Sequence, residues 1–96
     1  MNLQNASNIM YKIHFRPHFV RQYKKLSKVL QEEVRERIEL LREDPKHAYL
    51  KTHPLRGRLH GSWSCSVNYE YRIVFEFEPE NYIVLLAVGN HNVYES

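Results

Sequence analysis

Arg72 is the residue whose surroundings first suggest chemistry. It lies in residues 62–77, S-W-S-C-S-V-N-Y-E-Y-R-I-V-F-E-F, where polar and apolar side chains alternate, break near Asn68-Tyr69-Glu70 and alternate again. That period predicts two half-buried strands joined by a tight turn. Trp63, Cys65, Val67, Tyr71, Ile73, Phe75 and Phe77 form one face, and Ser64, Ser66, Asn68, Arg72, Val74 and Glu76 the other. Arg72 is the only cation beyond Arg58, and it is on the wet face. His53 and His60 precede the hairpin, His91 follows the last apolar run, and Glu70 sits in the turn. Imidazoles titrate near neutral pH and serve as general acid or base. With a cation for a crowded phosphate, this set suits cleavage of a phosphodiester whose own 2′-OH is the nucleophile, as in RNA. His53 and His60 are not at a zinc-ligand spacing, and Cys65 points inward, where a thiol is inert packing. We therefore expect no metal, no cofactor and no cysteine nucleophile.

The elements that must position these groups follow from periodicity. Tyr11-Lys12-Ile13-His14-Phe15 alternates and predicts a first strand. Pro17 suits the first position of a helix, and Phe19, Val20, Tyr23 and Leu26 continue it at helical spacing. Ser27 is placed to cap a second helix, whose apolar stripe is Leu30, Val34, Ile38 and Leu41. The mixed charges outside that stripe, from Glu32 to Glu39, read as solvent surface. Asp44-Pro45 ends the helix, and residues 46–55 read as a loop. Tyr82-Ile83-Val84-Leu85-Leu86-Ala87-Val88 is apolar on both faces and predicts a central strand. A polar loop, Gly89-Asn90-His91-Asn92-Val93-Tyr94, then leaves the sheet. The expected fold is α+β, in the order β-α-α-β-β-β, with an αα-hairpin on one face of a small, mostly antiparallel sheet. The other face would show Ser64, Ser66 and Arg72.

At 96 residues the chain fits one small domain. Residues 1–9 lack apolar periodicity and read as a disordered tail, with residues 10–96 the domain and Met1 or Met10 the start. The longest apolar run is far below the roughly 20 residues of a membrane span, and a single cysteine fits a reducing cytoplasm. The net charge is +3, unevenly spread: 13 of the 14 Lys and Arg residues lie within residues 12–58. Such a basic half suits a polyanionic or acidic partner.

Four pieces carry a resemblance over residues 11–94: Thr52-His53-Pro54-Leu55 with Gly57; Leu59-His60-Gly61-Ser62-Trp63-Ser64-Cys65-Ser66-Val67; Tyr71-Arg72-Ile73-Val74-Phe75; and Val88-Gly89-Asn90-His91 with Val93-Tyr94. In this order they resemble the RelE/ParE superfamily of bacterial toxin–antitoxin systems, closest to its YafQ-like ribosome-dependent mRNA interferases. The resemblance implies an endoribonuclease that cuts mRNA in the ribosomal A site, against ribosomal RNA, and a cognate antitoxin that silences it. By position, His53, Glu70, Arg72, His91 and Tyr94 match the family's catalytic set: Arg72 the phosphate-binding arginine, His91 the histidine of the G-x-H loop, Tyr94 the aromatic that stacks on a base. His60, Tyr71, Lys51, Arg56 and Arg58 would add RNA contacts. Two residues depart from the pattern. Ser66 stands where a further catalytic histidine belongs, for which His60 is the candidate substitute, and Tyr71 replaces a tryptophan. Other implied functions are a gyrase-poisoning toxin without catalysis and a weakened member that mainly binds its antitoxin.

Overall fold

The computed structural model describes residues 9–94. The tail expected over residues 1–9 therefore lies outside the described residues, apart from Ile9, which is exposed. Strand β1 (Lys12–Phe15) leads through the extended Arg16 into helix α1 (Pro17–Lys24), which Pro17 opens. Ser27 caps helix α2 (Lys28–Glu43), its side chain accepting the Leu30 N–H at 3.2 Å. Asp44, ahead of Pro45, is the C-cap. Strands β2 (His53–Pro54), β3 (Trp63–Ser66), β4 (Arg72–Glu78) and β5 (Tyr82–Gly89) follow, separated by short 3-10 turns at Ala48–Leu50 and Gly57–Leu59.

The sheet order is β1-β5-β4-β3-β2. β5 is thus central, as its two apolar faces predict. Its pairing with β1 is parallel, while β2–β3, β3–β4 and β4–β5 are antiparallel. Two strand features differ from the expectation. A two-residue strand, His53–Pro54, forms in the stretch read as loop, and the last segment is a 3-10 turn, His91–Tyr94, instead of a loop leaving the sheet. β1 ends opposite Leu85, so the last residues of β5 have no strand on that side. Gln22 of α1 supplies the missing acceptor, its Oε1 taking the Val88 N–H at 2.8 Å. A buried N–H must find a partner, and this one is drawn from a helix.

The main core lies between the helices and the sheet. Phe19, Val34, Ile38 and Leu41 of the helices pack with Cys65, Ile73, Phe75, Leu85 and Val88 of the strands. Full burial of each large side chain contributes about 1.5–3 kcal/mol. The register of β4 on β5 shifts between Val74 and Phe75, which pair with Ala87 and Leu85. The extra residue, Leu86, lets both Leu86 and Ala87 join a second cluster with Val74, Val93, Leu55 and Tyr94. This cluster overturns the expectation that the face away from the helices is open throughout. The C-terminal 3-10 turn folds back over it, and Ser64, expected on show, is 0% exposed. Among the described residues no helix is long and apolar enough to cross a membrane.

Cys65 lies at the centre of the main core, and burial pushes its thiol up from 9.0 to about 12. Below about pH 9 the thiol is protonated in both folded and unfolded chains. Between about pH 9 and about pH 12 only the unfolded chain ionises, so this group's stabilisation falls by about 1.4 kcal/mol per pH unit. The difference in unfolding free energy between the native chain and Cys65→Ala is therefore expected to shrink as pH rises from about 8 to about 11. Urea titrations at several pH values measure it, and a constant difference would contradict a thiol held neutral by the core.

Candidate functional site

Arg72 opens β4 and pairs in register with Ser66 of β3 on one side and Gly89 of β5 on the other. Side chains opposite one another across a sheet share a face, so these three form one row on the face away from the helices. Glycine at the third position leaves that row low beside Arg72. The next row, Ser64, Val74 and Ala87, is the one covered by the C-terminal turn. The cluster under that turn includes neither Arg72 nor Ser66.

The turn between β3 and β4 is organised by Asn68. Its Oδ1 accepts the N–H groups of Glu70 and Tyr71, both at 2.8 Å, an arrangement by which Asn commonly closes a turn. Its Nδ2 donates to Glu33 Oε1 at 2.8 Å and so ties the turn to α2. Arg37, one helical turn on, donates from Nε to Val67 O at 3.0 Å. Arg72 closes the other side: its Nη1 donates to Asn68 O at 2.9 Å, Tyr71 O at 3.1 Å and Ser66 Oγ at 3.4 Å. Every bond the guanidinium makes among the described residues passes through Nη1. Nε and Nη2, the pair that binds a phosphate side-on, are left for a ligand.

Beside this row is a cleft of about 490 Å³ lined by Arg37, Ala48, Tyr49, Lys51, Ser66, Asn68, Tyr69 and Arg72. No carboxylate lines it. The ion pairs among the described residues are Arg35–Glu32 and Arg42–Glu39, so none of the three cations of the cleft is engaged by an acid. Three cations without an acidic partner give the concavity a positive potential, the sign that attracts an anion. Tyr49 and Tyr69, 68% and 96% exposed, stand at its walls. Among the described residues no three His, Cys, Asp or Glu side chains are grouped to hold a metal ion.

The residues singled out from sequence fall into three places. Arg72 and Lys51 line the cleft. His53 and His91 do not line it. His53 is exposed on the edge strand β2 opposite Ser64, with its Nδ1 2.9 Å from Lys51 O. His91 is exposed at the start of the 3-10 turn, two residues beyond Gly89. Glu70 is exposed in the turn, outside the lining set. The remainder lie elsewhere. Tyr71 packs against the main core, on the helix side of the sheet. Tyr94 packs into the second cluster, its hydroxyl 2.8 Å from Ser64 Oγ and its carbonyl accepting from Arg58 Nη2 at 3.0 Å. Arg56, Arg58 and His60 gather in and beside the 3-10 turn Gly57–Leu59, at the opposite end of β3 from Ser66. Ser62 and Ser66 are four extended steps apart, about 13 Å, so His60, which precedes Ser62, is not beside Ser66.

Sequence reasoning missed Arg37, Tyr49 and Tyr69. Arg37 was grouped with the solvated face of α2, but at 100° per residue it borders the stripe of Val34, Ile38 and Leu41. An arginine at the margin of a buried stripe was the available signal. Tyr49 and Tyr69 are exposed aromatics in turns, and no periodicity distinguishes such residues.

A sequence model described as the ParE toxin of the type II toxin–antitoxin system parDE matches residues 13–93. No curated protein matches the chain. Several solved structures share its fold. The toxin–antitoxin complex RelBE2 of Mycobacterium tuberculosis aligns with TM-score 0.75 at 25% identity, covering 86% of this chain and 93% of that one. YafQ of Escherichia coli aligns with TM-score 0.74 at 17% identity, covering 90% and 99%. The YoeB/ParE toxin of Agrobacterium tumefaciens aligns with TM-score 0.73 at 19% identity, covering 83% and 98%.

The Tyr94–Ser64 bond makes a measurable claim about the covered part of this face. Ser64 has no exposure, and its hydroxyl is paired with Tyr94. Tyr94→Phe keeps the ring but leaves that hydroxyl without its partner, a loss of about 1–2 kcal/mol. The double variant Tyr94→Phe, Ser64→Ala is expected to recover most of the loss. Urea unfolding of the four chains of the cycle tests this, and strictly additive losses would mean that the bond is not formed in solution.

Proposed function

The chain belongs to the ParE toxin family of type II toxin–antitoxin systems, and from that premise we propose that it cleaves messenger RNA on the ribosome. The observation that carries this reading is the carboxylate-free cleft lined by Arg37, Lys51 and Arg72, with Nε and Nη2 of Arg72 bearing no hydrogen bond among the described residues. Arg72 binds the scissile phosphate and stabilises the charge that gathers on it as the 2′-oxygen attacks. A general base, His53 or Glu70, takes the 2′-OH proton. His91 gives a proton to the departing 5′-oxygen. The products are a 2′,3′-cyclic phosphate and a free 5′-OH, so the proton count closes with no metal and no other reactant.

Ser66 holds the place of a third imidazole and transfers no proton at neutral pH. Its hydroxyl instead donates to Asn68 O at 2.9 Å and accepts from Arg72, so its contribution is to orient the guanidinium. The basic surface between Arg21 and Arg58 would lie against ribosomal RNA, in binding that weakens steeply with salt. The toxins of Mycobacterium tuberculosis and Staphylococcus aureus were solved with their antitoxins. A cognate antitoxin that covers the Arg72 cleft is the partner we expect here.

A second reading rests on the name of the matching family, the toxin of the parDE system. In it the chain poisons DNA gyrase and has no catalytic centre. One experiment separates the two: a translating extract with purified protein, followed by primer extension on the mRNA. Codon-linked cleavage is expected, slowed by about 10²–10⁴ in His91→Ala, the scale of a lost general acid. Arg72→Lys is expected to slow it strongly as well, because lysine keeps the charge but not the fork. Gyrase stalling without cleavage would replace this reading with the second. Neither effect, alongside tight antitoxin binding, would mark a weakened member. Cleavage by His91→Ala at the native rate would remove His91 from the acid role alone.

A further inference from the structure

The cleft beside Arg72 extends further than one phosphate requires. Its outer wall is the 3-10 turn Ala48–Leu50, anchored by Leu50, which is 0% exposed, and followed by Lys51 in the left-handed region at φ 51°. Tyr49 projects from this turn at 68% exposure, yet it is held in place. Its N–H donates to His47 Nδ1 at 3.1 Å, and the His47 ring meets its edge at 4.8 Å between centroids. The Arg37 guanidinium lies 5.8 Å from the Tyr49 ring centroid, with Nε fixed on Val67 O. An exposed aromatic ring backed by a guanidinium, next to an unpaired lysine, combines the two elements of single-strand recognition: a stacking platform and a cation for the backbone. The volume, about 490 Å³, is that of an ordinary ligand site.

We propose that this cleft is a nucleotide subsite in which Tyr49, backed by Arg37, stacks one base of single-stranded RNA and Lys51 contacts the phosphate linking it to the nucleotide at Arg72. The proposal deepens the RNA-cleavage reading and rests on it for the identity of the polymer. Tyr49 and Arg37 are ordered by contacts within the protein, so binding a base there spends little further side-chain entropy. Stacking is sequence-tolerant because every base has a π-face, and the larger purines cover more of the ring. The subsite therefore favours purines modestly and reads no base edges.

The test is direct binding, independent of the ribosome. The full chain is titrated into a labelled 2′-O-methyl pentanucleotide, which cannot be cleaved because its 2′-oxygens are blocked, and anisotropy is followed at several salt concentrations. Tyr49→Ala is expected to weaken binding by about fivefold or more, as loss of a stacking side chain does. It is expected to leave binding of an abasic backbone of the same length unchanged. Lys51→Gln is expected to reduce the slope of log affinity against log salt by about 0.7, one single-strand phosphate contact. Native affinity in both variants, or no binding of the oligonucleotide by the native chain, would overturn the subsite. So would a polyglutamate peptide whose binding shows the same dependence on Tyr49, since the cleft would then serve an acidic chain. Tyr49-dependent binding without mRNA cleavage in extract would retain the subsite and discard the RNA-cleavage reading. Cleavage in extract with Tyr49-independent binding would do the reverse.

Discussion

The carbonyl oxygens of the turn between β3 and β4 set the geometry of the site. Val67 O is taken by Arg37 and Asn68 O by Arg72. Two arginines thus do structural work with one part of each guanidinium, and both line the same concavity. Glu33 completes the frame without entering the cleft, because its carboxylate accepts from Asn68 Nδ2. A carboxylate facing Arg72 would neutralise the charge that an anion needs to meet. Placing it behind an amide keeps the frame rigid and the cleft positive. The anchoring also limits the conformational entropy lost when a ligand binds, since neither arginine is free to search rotamers.

A second constraint decides how much of the sheet is available to a partner. A chain of this size covers one face of its sheet with helices and has little left for the other. Here the 3-10 turn His91–Tyr94 contributes to that task. The bulge at Leu86 turns Leu86 and Ala87 toward the face away from the helices, and Val93 and Tyr94 close over them with Val74. At the Arg72 row the partner in β5 is Gly89, where an added Cβ would lie 3.7 Å from Val93 of the covering turn. With apolar area buried on both sides, the central strands are fixed, and the polar row at their end is held by a rigid support. Arg58, by donating to Tyr94 O, spends part of its hydrogen-bonding capacity on this cover.

The helices, the hairpin and the central strand were legible in the sequence because each is specified locally. Ser27, Pro17 and Pro45 mark helix ends, and alternation at Trp63, Cys65 and Ile73 marks the buried face. What escaped was set by pairings between distant segments. The parallel partnership of β1 and β5 joins the two ends of the chain, and nothing in Lys12–Phe15 announces it. β2 is two residues long and exists only because β3 offers an edge. Ser64 reads as a wet-face residue by its period, yet Tyr94, thirty positions away, buries it. Of the residues singled out from sequence, Arg72 and Lys51 line the candidate cleft, while Arg37 and Tyr49, which line it too, escaped. Their roles depend on how α2 and the loop after it pack against the turn.

Ser66 shows most clearly how the framework limits the chemistry. It occupies the β3 end of the row that holds Arg72, where a group touches both the guanidinium and the turn carbonyl. A protonated imidazole there would compete with Arg72 for Asn68 O and add a like charge within contact distance. Serine removes that repulsion and serves both neighbours, donating a hydrogen bond to the carbonyl and accepting one from Nη1. The row is thereby better ordered as a binding element and poorer in groups that move protons. Under the proposed chemistry, proton transfer must come from the exposed flanks at His53, Glu70 and His91. Exposed groups are held by few protein contacts, so their final positions depend on the surface that closes over them. In that reading the ribosome orients the flanking groups and supplies the substrate, while the protein fixes only the anion site.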